Sequence, residues 1–346
     1  MSKKIIGVVA LALVAIGIAS CGAGGDSSSD ARPEPPLVGV GSTLTAPLMS
    51  RWQTGYERRT GEKVRFTIVP YGVEIRRPGA GADFGAADAP ITPFQFTEGN
   101  GGIQMLPWAL TAIAVVYNLP GAPNHLKLDS AALVGILLGE ITAWNDPAIA
   151  ALNPGVKLPA RRIVPVFHRE ENGEDYALTN YLSPQSRRFE YGGITRRLRI
   201  PGGIGVNGAA GIASRVARTP GAFGYVDLGT ARAHALDIAL IQNAAGRFPA
   251  PTLKTIEAAA AARSRIGPNR ETSIAELPPT AKNAYPIAFY IYAIVQSEPQ
   301  RAKALKRFLS YAVSPAGQAL GASLYFAPLP ENVLRSVQFG IRQLQR

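Results

Sequence analysis

Two hydrophobic periods alternate along the chain from Leu37 onward. Leu37 to Val40 is a short strand-like run, and Gly41 to Ala46 is a turn with Ser and Thr at helix-capping positions. Pro47 falls just inside a helix that runs through Leu48, Trp52 and Tyr56 and ends near Gly61. Val64, Phe66 and Ile68 then alternate with polar neighbours, which makes Lys63 to Val69 a strand. Strand, helix and strand in this order are the unit of an open α/β sheet. Further strands are predicted at Met105–Asn118, Arg162–Phe167, Gly224–Leu228 and Ile287–Val295. Helical patterns occupy Ser130–Leu138, Pro147–Leu152, Tyr176–Leu182, Gly208–Ala217, Ile256–Arg265, Glu298–Tyr311, Pro315–Ala322 and Glu331–Leu344. The segment His168 to Asp175 reads as a polar loop. No internal repeat interrupts the alternation, so the fold class is α/β.

The first 36 residues follow neither period. Lys3 and Lys4 precede an uncharged run, Ile5 to Ser20, the layout of a secretory signal peptide, 1–20. The run is short for a bilayer span of about 20 residues. It stops at Ile18-Ala19-Ser20-Cys21, which resembles a bacterial lipobox. That resemblance implies cleavage before Cys21 and a lipid on its thiol, which anchors the protein outside the cytoplasm to the bacterial cell envelope, at its periplasmic face or outer surface. Residues 21–36 are rich in Gly, Ser and Pro and offer almost nothing to bury, so they read as a flexible tether.

Composition narrows the chemistry. The 346 residues are 47% hydrophobic, enough for a large core, and carry a single cysteine, which excludes an intrachain disulfide and any zinc site built on a cysteine pair. The formal charge of +12 falls to +10 once Lys3 and Lys4 are removed, so the basic excess belongs to the exported part. Arg161, Arg162, Arg187, Arg188, Arg196, Arg197 and Arg199 cluster in the sequence without the aromatic interleaving of a single-strand nucleic-acid binder. They read as a solvated basic face, and nucleic acid is not an expected partner.

Eight runs, taken in order, resemble the PstS-type phosphate-binding protein, the extracytoplasmic receptor of a phosphate ABC importer. They are Gly39–Pro47 (GVGSTLTAP), Asp83–Pro90 (DFGAADAP), Val116–Gly121 (VYNLPG), Leu137–Pro147 (LLGEITAWNDP), Leu152–Pro159 (LNPGVKLP), Thr219–Val226 (TPGAFGYV), Ala284–Ile287 (AYPI) and Ala327–Pro330 (APLP). The resemblance implies a type II periplasmic-binding-protein fold of two α/β lobes with the ligand cleft between them. Lobe I would comprise 37–114 plus 236–346, and lobe II 115–235. It further implies a monomer without cofactor or enzymatic activity, with inorganic phosphate and an ABC permease as partners. Independently, the turn at Gly41 to Thr43 leads into a helix N-terminus, whose unpaired N–H groups suit an oxyanion.

Carried over residue by residue, the family site is half retained. Thr43 keeps the hydroxyl of the first loop, and Leu44 stands where Phe is usual while leaving its N–H available. Asp88 matches the aspartate that accepts the proton of the phosphate hydroxyl; the alternative is a helix cap in its Asp-Ala-Pro turn. Tyr71 falls at a serine of the second loop, and Glu74 replaces a glycine. In the family's arginine-containing loop, His168 aligns with the arginine, Asn172 with serine, Gly173 with glycine and Glu174 with threonine. A slide of one residue recovers Arg169 as the cation. Glu170, Glu171, Glu174 and Asp175 crowd the same place. A carboxylate within about 4 Å of a phosphate oxygen costs about 4 kcal/mol at an effective dielectric near 20, roughly a thousandfold in affinity. Either these carboxylates point outward and pair with nearby arginines, or the cleft accepts another solute, or none. The direction of Glu174 separates these alternatives.

Two look-alikes carry less. Gly203 to Gly208 satisfies G-x-G-x-x-G with Asp227 further on, but Pro201 and nearby arginines spoil the preceding strand. His125, His168 and His234 lack metal-ligand spacing, and no nucleophile pairs with His168.

Overall fold

The computed structural model describes residues 34–76, 78, 80–90, 102–186, 194–262, 274 and 276–345. Apart from Glu34, these belong to one compact unit, Pro35–Arg346. The predicted signal peptide, the lipid-bearing Cys21 and nearly all of the tether lie outside the described residues, as do Arg187, Arg188 and the last residues of the predicted 256–265 helix. No helix among the described residues is long and apolar enough to cross a membrane.

The strands are β1 (Leu37–Gly41), β2 (Val64–Ile68), β3 (Phe84–Ala87), β4 (Ile103–Asn118), β5 (Lys127–Leu128), β6 (Val164–His168), β7 (Ile204–Val206), β8 (Ala222–Asp227), β9 (Asp237–Ile238), β10 (Leu240–Ile241) and β11 (Ala288–Gln296). The helices are α1 (Ala46–Thr60), α2 (Val73–Arg76), α3 (Ser130–Leu137), α4 (Pro147–Leu152), α5 (Gly173–Leu182), α6 (Gly208–Arg218), α7 (Leu228–Ala233), α8 (Leu253–Ala262), α9 (Ala302–Ala312), α10 (Pro315–Ala319) and α11 (Glu331–Gln343). Nine strands form one sheet in the order β2-β1-β3-β11-β4-β8-β6-β7, with β9 also on β4.

β4 holds the two halves of this sheet together. Ile103 to Ala112 pairs antiparallel with β11, whereas Ile113 to Asn118 pairs antiparallel with β8. The strand is buried almost throughout, which explains its unbroken apolar sequence. Its ladder slips once: Ala109 faces Ile291 and Pro107 faces Tyr292, leaving Trp108 as the extra residue. Pro107 has no N–H to give the ladder, so the bulge falls where a hydrogen bond is already lost.

Trp108 turns this irregularity into packing. It stacks against Trp52 of α1 at 5.0 Å and Phe84 of β3 at 5.7 Å, and Phe308 of α9 closes the cluster on Phe84 at 5.4 Å. The Trp52 indole N–H donates to the Gly317 carbonyl at 2.8 Å. α1 is thereby fixed on the sheet, with its N-terminus beyond the C-terminal end of β1. In the other half, the Trp144 indole donates to Gly221 O at 2.9 Å, and the Asn118 amide donates to the Val216 and Ala217 carbonyls that end α6.

Three differences from the sequence expectations matter. α5 begins at Gly173, so Glu174 and Asp175 lie in its first turn rather than in a loop, because the Asn172 side chain accepts the Asp175 N–H at 2.7 Å and caps the helix early. The expected helix from Glu298 begins only at Ala302. The short α2 over Val73–Arg76 was not anticipated.

β1 has no side chain at Gly39, and a Cβ there would enter the ring of Phe84. Overpacking of this kind costs about 1–3 kcal/mol. Gly39→Ala should therefore lower the unfolding free energy by that amount, seen as a lower urea midpoint with an unchanged m-value.

Candidate functional site

Strands β1, β3, β6 and β8 all deliver their C-terminal ends to one region, the usual place for a ligand in an open α/β sheet. From β1 comes the turn Ser42–Thr45, where the Ser42 and Thr45 hydroxyls are 3.1 Å apart. α1 has no side-chain cap on its N-terminus, and its first intrahelical bond is Met49 N–H to Thr45 O at 3.0 Å. From β3 comes Asp88, from β6 the stretch His168–Asn172, and from β8 Asp227.

Asp88 is the junction. It is 5% exposed, its carboxylate accepts a hydrogen bond from Ser42, and it lies against the bare Cα of Gly173, where a Cβ would collide with it. The turn after β1, the end of β3 and the N-terminus of α5 therefore meet at one carboxyl group. Thr43 is exposed and Leu44 buried beside it; both border a cavity of about 380 Å³ that Asp227, Thr230, Arg232 and Tyr325 also line.

The β6–α5 segment surrounds His168 with carboxylates. The imidazole is 1% exposed, with Nε2 2.8 Å from Glu174 Oε2 and Nδ1 3.2 Å from Glu170 Oε1. Glu174 is 4% exposed and points inward, and its Oε1 accepts the Asp227 N–H at 2.9 Å. Asp175 is fully buried beneath, accepting from the Tyr225 hydroxyl and the Leu198 N–H, each at 2.6 Å. Burial alone would lower the His168 pKa, but the Glu174 and Glu170 carboxylates outweigh it and hold it at about 10. The imidazolium and the Gly208 N–H outweigh burial at Glu170 and bring it to about 2. Asp88, Asp175 and Asp227 are each pushed up to about 6, chiefly by burial, and the charge of Glu174 adds to all three.

The predicted site residues therefore divide. Asp88, Gly173 and the Ser42–Leu44 turn converge, and His168 stands at the end of β6 with Glu174 on one nitrogen. Asn172 spends its side-chain oxygen on the α5 cap. Arg169 is exposed and donates to Gly205 O at 2.8 Å, away from Asp88. Tyr71 is half-buried, with its ring beneath Arg196. The outward-pointing alternative does not hold for Glu174 and Asp175, whose partners are His168, Tyr225 and backbone N–H groups. Among the described residues no group of three or more His, Cys, Asp or Glu is placed to hold a metal ion. The G-x-G-x-x-G turn is already occupied, since its Gly208 N–H donates to Glu170 Oε1 at 2.7 Å.

The sequence reading missed two arginines. Arg199 donates to the His168 and Arg169 carbonyls and lies 5.5 Å from the Phe167 ring centre, and Arg196 reaches the cleft between Tyr71 and Tyr176. The expected solvated basic face therefore fails for Arg196, which is partly buried, whereas Arg199 remains exposed while it ties down those carbonyls. Nothing in the order of residues separates Arg196 from its neighbour Arg197.

The chain is similar to known proteins over most of its length. A family model described as the PBP superfamily domain matches residues 24–316. The phosphate-binding protein PstS of Pasteurella multocida (strain Pm70) is 31% identical over 312 residues, covering 87% of this chain and 88% of that protein. In structure, the chain resembles the high affinity periplasmic phosphate-binding protein PfluDING bound with phosphate, with a TM-score of 0.69 at 18% identity, covering 88% of this chain and 93% of the other. It also resembles an ABC-type phosphate transport receptor from Vibrio cholerae, with a TM-score of 0.59 at 17% identity over 85% of this chain and all of that one. These likenesses establish the two-lobed type II periplasmic-binding-protein fold.

The raised carboxyls and the raised imidazole act on stability in one direction. A carboxyl held at about 6 against 3.8 favours folding below the lower value and loses that advantage as pH rises through the higher. His168, at about 10 against 6.5, favours folding below 6.5 and loses that contribution as pH climbs through about 10. The melting temperature is thus expected to fall steadily from pH 4 to pH 10. Asp88→Asn should stabilise the protein at pH 8, by as much as about 3 kcal/mol, and by only about half as much at pH 5. Calorimetric melting of both proteins across that range measures the difference.

Proposed function

Since the chain belongs to the PstS family of phosphate-binding proteins within the PBP superfamily, we propose that it is the extracytoplasmic solute-binding receptor of an ABC importer, taking up inorganic phosphate and passing it to the membrane permease. The observation that carries this reading is the convergence on Asp88 of the Ser42–Leu44 turn and the Asn172–Gly173 helix start. Unpaired N–H groups at a helix N-terminus and a carboxyl acceptor beside them suit an oxyanion that still carries a proton. Glu174 does not defeat the reading, because its charge is paired with the buried His168 imidazolium.

Residues 37–114 plus 236–346 form lobe I in this reading and residues 115–235 form lobe II, with the exchange of β4 partners at their junction. Lobe closure around the solute is the signal to the permease. In this reading the protein acts as a monomer, tethered through 21–36 to a lipid on Cys21 in the cell envelope, and its work is binding and release rather than catalysis.

A second reading has its own observation. Glu174 points into the cleft, and Glu74 is buried close by, so the site holds more negative charge than an anion receptor needs. A solute with hydrogen-bond donors or a positive group would meet these carboxylates better than phosphate.

Titration calorimetry with phosphate, arsenate and sulfate divides the readings. Phosphate and arsenate are expected to bind at micromolar concentration, sulfate far more weakly, and Asp88→Asn should abolish the phosphate heat. No heat at millimolar phosphate would transfer the case to the second reading.

A further inference from the structure

Three buried polar atoms without a hydrogen-bond partner among the described residues gather in the cleft: Arg196 Nε, Tyr71 Oη and Asp88 Oδ1. They come from three separate segments. The Arg196 guanidinium carbon lies 5.4 Å from the centre of the Tyr71 ring and 5.1 Å from that of Tyr176, so the cation is held between two aromatic faces. Its Nη2 donates to the Pro90 carbonyl at 2.8 Å, two residues beyond Asp88. The backbone of Arg196 is fixed as well, since its carbonyl accepts the Asn172 N–H at 2.9 Å just before the start of α5. Asp88, Pro90 and Tyr176 border a cavity of about 20 Å³, room for about one water.

Buried donors and acceptors are almost always paired, and each left unpaired is unfavourable. Around Arg196 the set without a well-formed partner is two donors, a guanidinium N–H and a phenol O–H that interact only weakly with each other, and one acceptor, a carboxylate oxygen; His168 Nε2 and Glu170 Oε2 nearby belong to ion-paired side chains. The complement of that set is a small anion with at least two acceptor oxygens and one remaining O–H. The rings hold the guanidinium plane in place, which favours directed recognition over a mobile point charge.

We propose that Arg196 is the cation of the ligand site, donating to an oxygen of a partly protonated tetrahedral oxyanion while Tyr71 donates to a second oxygen. The proposal rests on the phosphate-receptor reading and deepens it by naming donors that neither His168 nor Arg169 supplies: His168 is spent on Glu170 and Glu174, and Arg169 on Gly205. The cavity beside Asp88 is smaller than such an anion and is lined by neither Arg196 nor Tyr71, so the anion enters as the lobes part, and reclosure brings the guanidinium onto it.

Calorimetric titration of the full chain in detergent with inorganic phosphate tests the assignment, using wild type, Arg196→Gln, Arg196→Lys and Tyr71→Phe. The expected result is that Arg196→Gln weakens phosphate about 10- to 100-fold, as loss of one charged hydrogen bond does. Arg196→Lys should recover part of that loss, and Tyr71→Phe should lose several-fold. A purely structural clamp would instead shift the melting temperature with affinity unchanged, so melting is recorded for each variant. If Arg196→Gln fails to fold, Arg196→Lys and Tyr71→Phe decide: affinity within twofold of wild type in both overturns the assignment. Phosphate affinity in a folded Arg196→Gln variant equal to that of wild type overturns it too. Wild type that binds neither phosphate nor arsenate overturns the phosphate-receptor reading and the assignment together.

Discussion

Contact between the Asp88 carboxyl and the bare Cα of Gly173 sets the geometry on which the cleft depends. A side chain at position 173 would force β3 and α5 apart, and with them the Ser42 hydroxyl that donates to Asp88. Each partner is placed by a separate piece of core. The Trp52–Trp108–Phe84 cluster positions α1 and β3, while the Asn172 cap and the buried Asp175 position the first turn of α5. β4 connects the two by exchanging β11 for β8 midway along its length.

Such close packing buries charge, and the remaining interactions near the cleft are largely its compensation. A carboxylate removed from water is costly unless it is paired, protonated or well hydrogen-bonded. All three solutions occur around the cleft. Glu174 pairs with His168, Asp175 accepts two short hydrogen bonds, and Asp88 has its pKa lifted toward 6. His168 is the only imidazole here, and its proton is what allows Glu170 and Glu174 to coexist around it. In this structure it is the counterion of the loop, with both ring nitrogens facing carboxylates.

The alternation of periods 2 and 3.6 exposed most of the elements to sequence reading, because strands and helices of a two-sided α/β sheet bury predictable faces. β4 was legible as a long apolar run and α1 from Pro47, Leu48, Trp52 and Tyr56. What escaped was set by capping and by tertiary pairing. Asn172 draws Glu174 and Asp175 into a helix that a polar sequence disguises as loop. Arg196 and Arg199 appear in a basic run, yet one enters the cleft between two tyrosines and the other ties down the His168 and Arg169 carbonyls. Long-range partners of this kind leave no local period behind them.

The overall charge and the charge of the cleft have opposite signs, and distance decides what each can do. The excess of +12 on the full chain, +10 without Lys3 and Lys4, attracts anions from afar, but exposed charges separated by more than about 8 Å are largely screened at physiological salt. Selection must therefore come from groups at contact distance, where Asp88 and Glu174 oppose an anion and His168 and Arg196 favour it. His168 is already matched by two carboxylates, so the balance turns on whether Asp88 is protonated and on the Arg196 guanidinium. The proposed receptor would thus read the proton on an oxyanion as much as its charge, because a carboxyl that repels a fully ionised ligand accepts a hydrogen bond from a protonated one.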